Sequence, residues 1–312
     1  MDELIKFFEV FGLLILYSSE MIISKNCFKK SNRKNNYKLY KYGFNDIILS
    51  VSSFPKRSIK DILYYEELLD TDYPKELKDI FSKFVNYVNP ENLEYSLFNL
   101  VSIKLENRRT FKDLLKIFTD DITLGYYDAF KNKINIIFNE KHVLSHEFLH
   151  MASTSYFNPH LCGFNIINCN NDSSFTNFGT GLNEGYTELL NSRIFYGGKK
   201  SKSYKLNVEI VKLLECFFDN PSDMQYAYFH NDINSVYKSF CQYGNRYEFF
   251  YVINELDNLT KLITPTDMKD YYKLKLKLYE IIKRSDDEKK ISNFEKVLFN
   301  SPLTKIIYKK TR

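Results

Sequence analysis

The chain has 312 residues, of which 44% are hydrophobic and 27% are charged, so it contains enough apolar material for a buried core and is unlike a disordered protein. No stretch approaches the ~18 consecutive apolar residues of a membrane-spanning helix, and Gly and Pro, with 10 and 7 residues, are too rare for a linker-rich protein. The net charge of +5 is too small to indicate a nucleic-acid partner by itself.

The cysteines and the first residues bear on the cellular compartment. The 5 cysteines are scattered, without a Cys-x-x-Cys pair, which favours a reducing compartment and argues against a disulfide scaffold or a thiolate zinc site. The apolar run at residues 10–17 follows acidic residues instead of basic ones, so we read no secretory signal. We therefore expect a cytoplasmic protein, with export by another route left open.

A basic tract lies between Lys25 and Lys41, where seven Lys and Arg residues occur without an acidic residue. We interpret it as a solvated face in preference to a patch for an anionic partner. The abundance of Lys, Asn, Ile, Tyr and Phe in the chain is typical of AT-rich coding, which would enrich such a tract without selection for binding. A nucleic-acid partner is therefore not expected.

The first third of the chain is predicted to be mostly helical. Apolar residues recur at intervals of three and four over residues 3–17 and 59–109, for example at Leu77, Ile80 and Phe84. Pro74 stands where a first helical turn would begin, and Asn89-Pro90 indicates a break followed by a new start.

The middle of the chain has a different texture. Residues 122–130 and 134–138 are β-prone and are separated by a polar turn, which predicts a hairpin. A helix is predicted from residue 139 or 140 to residue 156, followed by an irregular loop or short hairpin between residues 162 and 181. A second helix is predicted from residue 182 to about residue 195, where Gly197-Gly198 ends it.

Residues 203–309 again have helical periodicity, with breaks predicted at Asn220-Pro221, Thr264-Pro265 and Ser301-Pro302. The pattern predicts an α+β protein that is predominantly helical. Its expected parts are a helical N-terminal region at 1–118, a core with a small β-sheet or hairpin at 119–198, and a helical C-terminal region at 199–312. We expect the three to form one compact body.

The helix after the predicted hairpin contains His146-Glu147-Phe148-Leu149-His150. Residues four apart lie on one face of a helix, so both imidazoles can point at a single metal ion. Glu147 is displaced by ~100° around the helix, which lets it reach a water on that ion without binding the ion itself. His142, one turn earlier, is a rival ligand by spacing, but no correctly placed base follows it.

A catalytic zinc ion needs three protein ligands, and two histidines leave it one short. The second predicted helix offers the third, because Glu184 and Glu188 are again four residues apart on one face. One carboxylate can bind the ion, and the other can accept a hydrogen bond from a ligating imidazole.

Together, the His146 motif and the later segment from Leu182 to Glu188 resemble the gluzincin branch of the zincin metallopeptidases. The resemblance covers about 70 residues, and it implies a zincin-like core beside the active-site helix. It implies one Zn²⁺ ion held by His146, His150 and Glu184, with Glu188 supporting a zinc-bound histidine. It also implies that the strand before the helix, near residues 134–138, binds an extended peptide by edge pairing.

The resemblance implies a peptidase that acts on protein or peptide substrates, with Glu147 as the general base. The family usually has a later Tyr or His that stabilises the oxyanion, but no residue is assigned to that role here. The candidates, each more easily explained by core packing, are Tyr226, Tyr228, His230, Tyr237 and Tyr243.

Two alternatives belong to other functional classes. The chain could be a catalytically inactive zinc-binding protein that uses its cleft or its basic tract to hold a partner. It could also be a nucleic-acid binder built on the basic tract between Lys25 and Lys41. Activity after replacement of Glu147 separates the first alternative from a peptidase, and a steep salt dependence of DNA affinity would identify the second.

Overall fold

A computed structural model describes residues 75–88, 99, 103–107, 125–136, 140–155, 158–169, 175–198, 203–260 and 265–300. This part of the chain is mostly helical with small sheets, and all of it belongs to one compact unit. Its helices are α1 (Lys75–Tyr87), α2 (Lys141–Ala152), α3 (Thr180–Tyr196), α4 (Lys205–Glu215), α5 (Pro221–Phe229), α6 (Ile233–Phe240), α7 (Arg246–Leu259), α8 (Pro265–Ile282) and α9 (Glu288–Asn300). Its strands are β1 (Lys104–Asn107), β2 (Gly125–Asp128), β3 (Lys133–Ile136), β4 (Leu161–Cys162), β5 (Asn165–Cys169) and β6 (Phe175–Phe178). Among these helices, none has the length and apolar character needed to cross a membrane.

The predicted hairpin is confirmed, because β2 and β3 pair antiparallel with Gly125 opposite Ile136. The predicted position of the sheet edge is wrong. Strand β1 pairs with the other side of β3 in parallel, so the sheet order is β1-β3-β2 and β3 is the central strand. A parallel partner comes from a distant part of the chain, and local periodicity carries no signal for it. Within the described residues, β1 and β2 are therefore the two edge strands of this sheet, and β2 lies against α2.

Helix α2 begins where the sequence predicts, after Glu140, but it ends at Ala152 and not at residue 156. The hydroxyl of Thr154 donates to the carbonyl oxygen of His150 at 2.7 Å, and Thr154 forms a β-bridge with Cys162. Such side-chain bonds compete with further helical turns. Most of α2 is buried, including Phe148 and Leu149, so the helix lies in the interior of the unit.

The segment predicted as an irregular loop or short hairpin is a second sheet, in which β4, β5 and β6 are antiparallel neighbours. Helix α3 follows it, close to the predicted range. It ends as predicted, because Gly197 and Gly198 have φ values of 61° and 75°. Only glycine adopts this left-handed conformation without cost.

The C-terminal helices start at two of the predicted prolines. Pro221 and Pro265 are the first residues of α5 and α8, where a missing N–H costs nothing. Helix α9 ends at Asn300, just before the third predicted break. Three further breaks, before α6, α7 and α9, contain no proline and were not predicted.

The start of α3 is set by α7. The carboxylate of Asp257 accepts hydrogen bonds from the backbone N–H groups of Gly179 at 3.0 Å and Gly181 at 2.6 Å. A side chain at position 181 would meet the Leu256 carbonyl oxygen at 2.0 Å, so only glycine allows this approach. The C-terminal helices thus determine where α3 lies.

Helix α1 confirms one of the predicted N-terminal helices, and its Phe84 packs edge-on against Phe148 of α2 at 5.3 Å. The helical prediction is wrong for residues 104–107, which form strand β1 because they pair with β3. The helix predicted over residues 3–17 and the basic tract lie outside the described residues.

Candidate metal centre

Five charged or titratable side chains alternate along the contact between α2 and α3. In order along this contact they are His150, Glu184, His146, Glu188 and His142, and we call this row the His–Glu ladder. Each helix contributes residues four apart, which places them on one face. Neighbouring members of the ladder approach within 3.1 or 3.2 Å, so the two helices meet through an unbroken series of imidazole–carboxylate contacts.

Three atoms of the ladder converge at one point. His146 Nε2 lies 3.1 Å from His150 Nε2 and 3.1 Å from Glu184 Oε2, and the third side of the triangle is 3.2 Å. Three corners of a tetrahedron around a zinc ion would be about 3.3 Å apart, given metal–ligand distances of about 2 Å. Among the His, Cys, Asp and Glu side chains of the described residues, these three are arranged so that they could hold a metal ion. We call these three residues the ligand group.

The ligand group favours positive charge. Burial lowers the pKa of His146, but hydrogen bonds with Glu184 and Glu188 raise it by more than burial lowers it, so the resulting pKa is about 9. Burial also opposes protonation of His150, yet the charge of Glu184 keeps its pKa well above the ordinary value. Burial would raise the pKa of Glu184, but the charge of His150 and the hydrogen bonds from both imidazoles hold it far below its usual range. A site of this kind attracts either protons or a metal cation.

Glu147 lies beside the ligand group without belonging to it. Burial raises the pKa of its carboxyl group, and the charges of His150 and His146 offset this only in part. The backbone N–H of Tyr127 in β2 donates to the Glu147 carboxylate. Strand β2 therefore borders Glu147, the side chain predicted from the sequence to be the general base.

Close contact between β2 and α2 depends on Gly125. A Cβ atom at this position would lie 2.6 Å from Cγ1 of Val143 and 3.6 Å from Cγ of Glu147. A larger residue would push the strand away from the helix or displace the Glu147 side chain.

Glu188 contacts His146 on the side away from the ligand group. His146 Nδ1 lies 3.1 Å from Glu188 Oε2, and the Glu188 side chain has no exposed surface. Donation by Nδ1–H leaves the Nε2 lone pair directed at the centre of the ligand group.

His142 is not part of the ligand group. Its Nε2 lies 3.1 Å from Glu188 Oε1, an ion-pair distance, although the angle departs from that of a hydrogen bond. The rival metal ligand considered from its spacing is thus directed at a carboxylate on the far side of His146.

The outer nitrogen of His150 has different neighbours from that of His146. Its Nδ1 lies 3.3 Å from Nδ2 of Asn183 and 4.0 Å from Sγ of Cys162. Asn183 is itself held, because its Oδ1 accepts the N–H of Phe164. Neither residue was predicted as part of the site, although Asn183 lies in the Leu182–Glu188 segment that carries the resemblance.

Tyr204 is a further residue of the site that the sequence did not reveal. Its ring stacks on the imidazole of His146, with centroids 5.8 Å apart and planes 22° from parallel. The charge of Glu184 and burial raise the pKa of its phenol well above the ordinary range, so the hydroxyl lies inside the site while 37% of the residue is exposed. Tyr204 has a φ of 49°, an uncommon conformation for an aromatic residue, and it reaches the site through this turn before α4.

The tyrosine and histidine candidates considered from the sequence have other contacts. Tyr228 is fully buried and its hydroxyl pairs with that of Thr187 at 2.6 Å. Tyr226 stacks on His230 at 3.8 Å, Tyr237 packs against Phe249, and Tyr243 accepts a hydrogen bond from Lys290.

Comparisons of the chain with protein-family models, with curated proteins and with solved structures found no match. The description of this region as a candidate metal centre therefore depends on the ligand group itself, two imidazoles and one carboxylate that converge from two helices.

Proposed function

We propose that this protein is a zinc-dependent peptidase of the gluzincin type, with zinc held by His146, His150 and Glu184. The observation that carries the proposal is the convergence of these three ligand atoms next to the buried carboxylate of Glu147. Two imidazoles and a carboxylate suit zinc, and three protein ligands are typical of catalytic zinc sites, in contrast to the four of structural sites.

When bound, zinc lowers the pKa of a coordinated water and polarises the carbonyl group of the substrate. Glu147 then takes a proton from the attacking water and passes it to the leaving amine. Because burial raises the pKa of Glu147, its carboxylate is a stronger base near neutral pH than an exposed glutamate. Glu188 keeps the Nδ1 proton on His146, which leaves Nε2 free to bind the metal.

Two other elements suit a peptide substrate. Strand β2 is one of the two edges of its sheet within the described residues and borders Glu147, so an extended peptide can pair with it. The hydroxyl of Tyr204 lies near both Glu184 and Glu147. There it can donate a hydrogen bond to the reacting oxygen.

The test of the proposed function is the substitution Glu147→Gln. We expect the variant to retain one zinc ion per chain and to lose peptide cleavage by a factor of about 10² to 10⁴, because the amide cannot accept the proton. Glu140→Gln is the matched control, since Glu140 is exposed on the N-terminal side of the same helix and makes no capping bond through its side chain.

Cleavage would be measured on a diverse peptide library, and zinc by metal analysis of the same samples. A wild-type protein that binds zinc and cleaves no peptide would contradict the peptidase proposal. That result would favour the inactive zinc-binding protein that serves as a partner-binding module.

A further inference from the structure

The His–Glu ladder extends one residue beyond what a zinc site of this type needs. The ligand group uses His146, His150 and Glu184, and Glu188 supports His146 from outside. His142 adds a further imidazole, one helical turn before His146 and on the same face of α2. The function of this outermost residue is not explained by metal binding or by proton transfer.

Glu188 is shared between two imidazoles. Its Oε2 atom is 3.1 Å from His146 Nδ1, and its Oε1 atom is 3.1 Å from His142 Nε2. Weaker contacts come from Nδ2 of Asn191 and the backbone N–H of Ser203, both at 3.4 Å. A carboxylate with no exposed surface is costly to bury unless several groups compensate its charge, and His142 is one of these groups.

His142 is itself held in place. Asn191 of α3 donates through Nδ2 to the carbonyl oxygen of His142 at 3.2 Å, and its Oδ1 accepts the hydroxyl of Ser145 at 2.7 Å. The ring of Tyr196 packs beside the His142 ring, with centroids 5.2 Å apart. His142 is buried, so its ring cannot turn freely away from Glu188. The imidazole is a fixed part of the contact between α2 and α3.

We propose that His142 is a positioning residue that orients Glu188, so that Glu188 orients the zinc ligand His146. The inference rests on the proposed zinc site, and it adds a residue that acts through two others without contacting metal or substrate. Without His142, the Oε1 atom of Glu188 loses a contact at 3.1 Å, and the carboxylate is held less firmly against His146 Nδ1. The imidazole of His146 would then be held less firmly in the orientation and tautomer that zinc requires.

The experiment measures zinc affinity of the full chain by competition with a chromogenic chelator, for the wild type, His142→Leu and His142→Gln. Leucine removes the polar contact, whereas glutamine restores an N–H donor near the position of Nε2. We expect His142→Leu to weaken zinc binding about tenfold, as loss of an outer partner of a zinc ligand does, and His142→Gln to recover most of this loss. His230→Leu is the matched control, because His230 is a partly exposed histidine stacked on Tyr226, away from the ligand group.

The absorption bands of the Co²⁺-substituted protein give a second readout, since they respond to ligand geometry and not to general stability. We expect these bands to change in His142→Leu and to remain as in the wild type in His142→Gln and His230→Leu. Unchanged affinity and unchanged cobalt bands in His142→Leu would overturn the inference. Equal losses in the leucine and glutamine variants would also overturn it, because they would show a packing effect without a polar one.

The readouts separate this inference from the proposed function. A wild-type protein that binds zinc without cleaving peptides leaves the positioning role intact and refutes the peptidase. If the wild type cleaves peptides while His142→Leu binds zinc normally, the peptidase proposal stands and the positioning role of His142 is refuted. A wild-type protein that takes up no zinc overturns both.

Discussion

Two buried polar clusters in this protein solve the same electrostatic problem in different ways. Between α4 and α8, Glu209 receives hydrogen bonds from Tyr271 and, at 3.3 Å, from the buried ammonium group of Lys275. That carboxylate has a cation of its own. In the His–Glu ladder, Glu184 is matched mainly by two imidazoles, whose raised pKa values mean that their positive charge is carried by protons that a metal ion can replace. A carboxylate matched by a lysine keeps that cation permanently and needs no other. The ligand group, in contrast, still favours an added cation.

The strongest test of this comparison removes members of the ligand group. We expect His146→Ala and Glu184→Ala to lower zinc affinity by more than the 10- to 100-fold that loss of an outer partner costs, because each removes a direct ligand. Metal analysis of the purified proteins is the measurement, with His230→Ala as the control. Full zinc content after replacement of Glu184 would move the third ligand to Glu188 or to another residue.

The converse test removes the cation of the other cluster. Lys275→Met leaves Glu209 partly buried without its lysine, and we expect a loss of about 3 kcal/mol in the free energy of unfolding. Zinc affinity should not change. Lys273→Met, which breaks an exposed pair with Asp270, should cost less than about 1 kcal/mol in the same denaturant titration. A loss of zinc binding in Lys275→Met would show that the two clusters are not independent.

The comparison also predicts a dependence on pH. Zinc must displace protons from His146, whose pKa is raised to about 9, and from His150, whose pKa is also raised, so apparent zinc affinity should rise by more than tenfold per pH unit below pH 9. In the metal-free protein the proton of His146 contributes stability that is complete below pH 6.5, the ordinary pKa, and is lost as the pH rises through 9. Chelator competition and thermal unfolding measure the two effects.

Replacement of Glu188 sharpens this test. Glu188→Gln removes one of the groups that raise the pKa of His146, so the pH at which zinc affinity levels off should move down towards 6.5. If the zinc affinity of the wild type already levels off near pH 6.5, that result would contradict the raised pKa of His146.

The smallest expected effect concerns Tyr204. Tyr204→Phe keeps the ring that stacks on His146 and removes the hydroxyl, so we expect normal zinc affinity and a fall in kcat of about tenfold, the value of one hydrogen bond. Tyr226→Phe is a matched control, because Tyr226 is exposed to the same extent, 37%. Equal kcat values for Tyr204→Phe and the wild type would remove Tyr204 from the reaction.

Much of the local structure could be predicted because its causes are local. Helical spacing of four placed His146 with His150 and Glu184 with Glu188, and the structure shows each pair on one face. The polar turn between two β-prone runs predicted the β2–β3 hairpin, and Gly197-Gly198 predicted the end of α3. Each of these features depends on neighbouring residues only, so the amino-acid sequence by itself determined it.

The tertiary structure decided everything that depends on residues far apart in the chain. Pairing with β1 made β3 a central strand, and Asp257 fixed the start of the helix that carries Glu184. Tyr204 reached His146 through a left-handed turn. Contacts of this kind join segments through packing and hydrogen bonds across tens of residues, and neither composition nor periodicity records which segments meet. The sequence therefore indicated which side chains could bind a metal, and the packing of α2 against α3 brought them to one point.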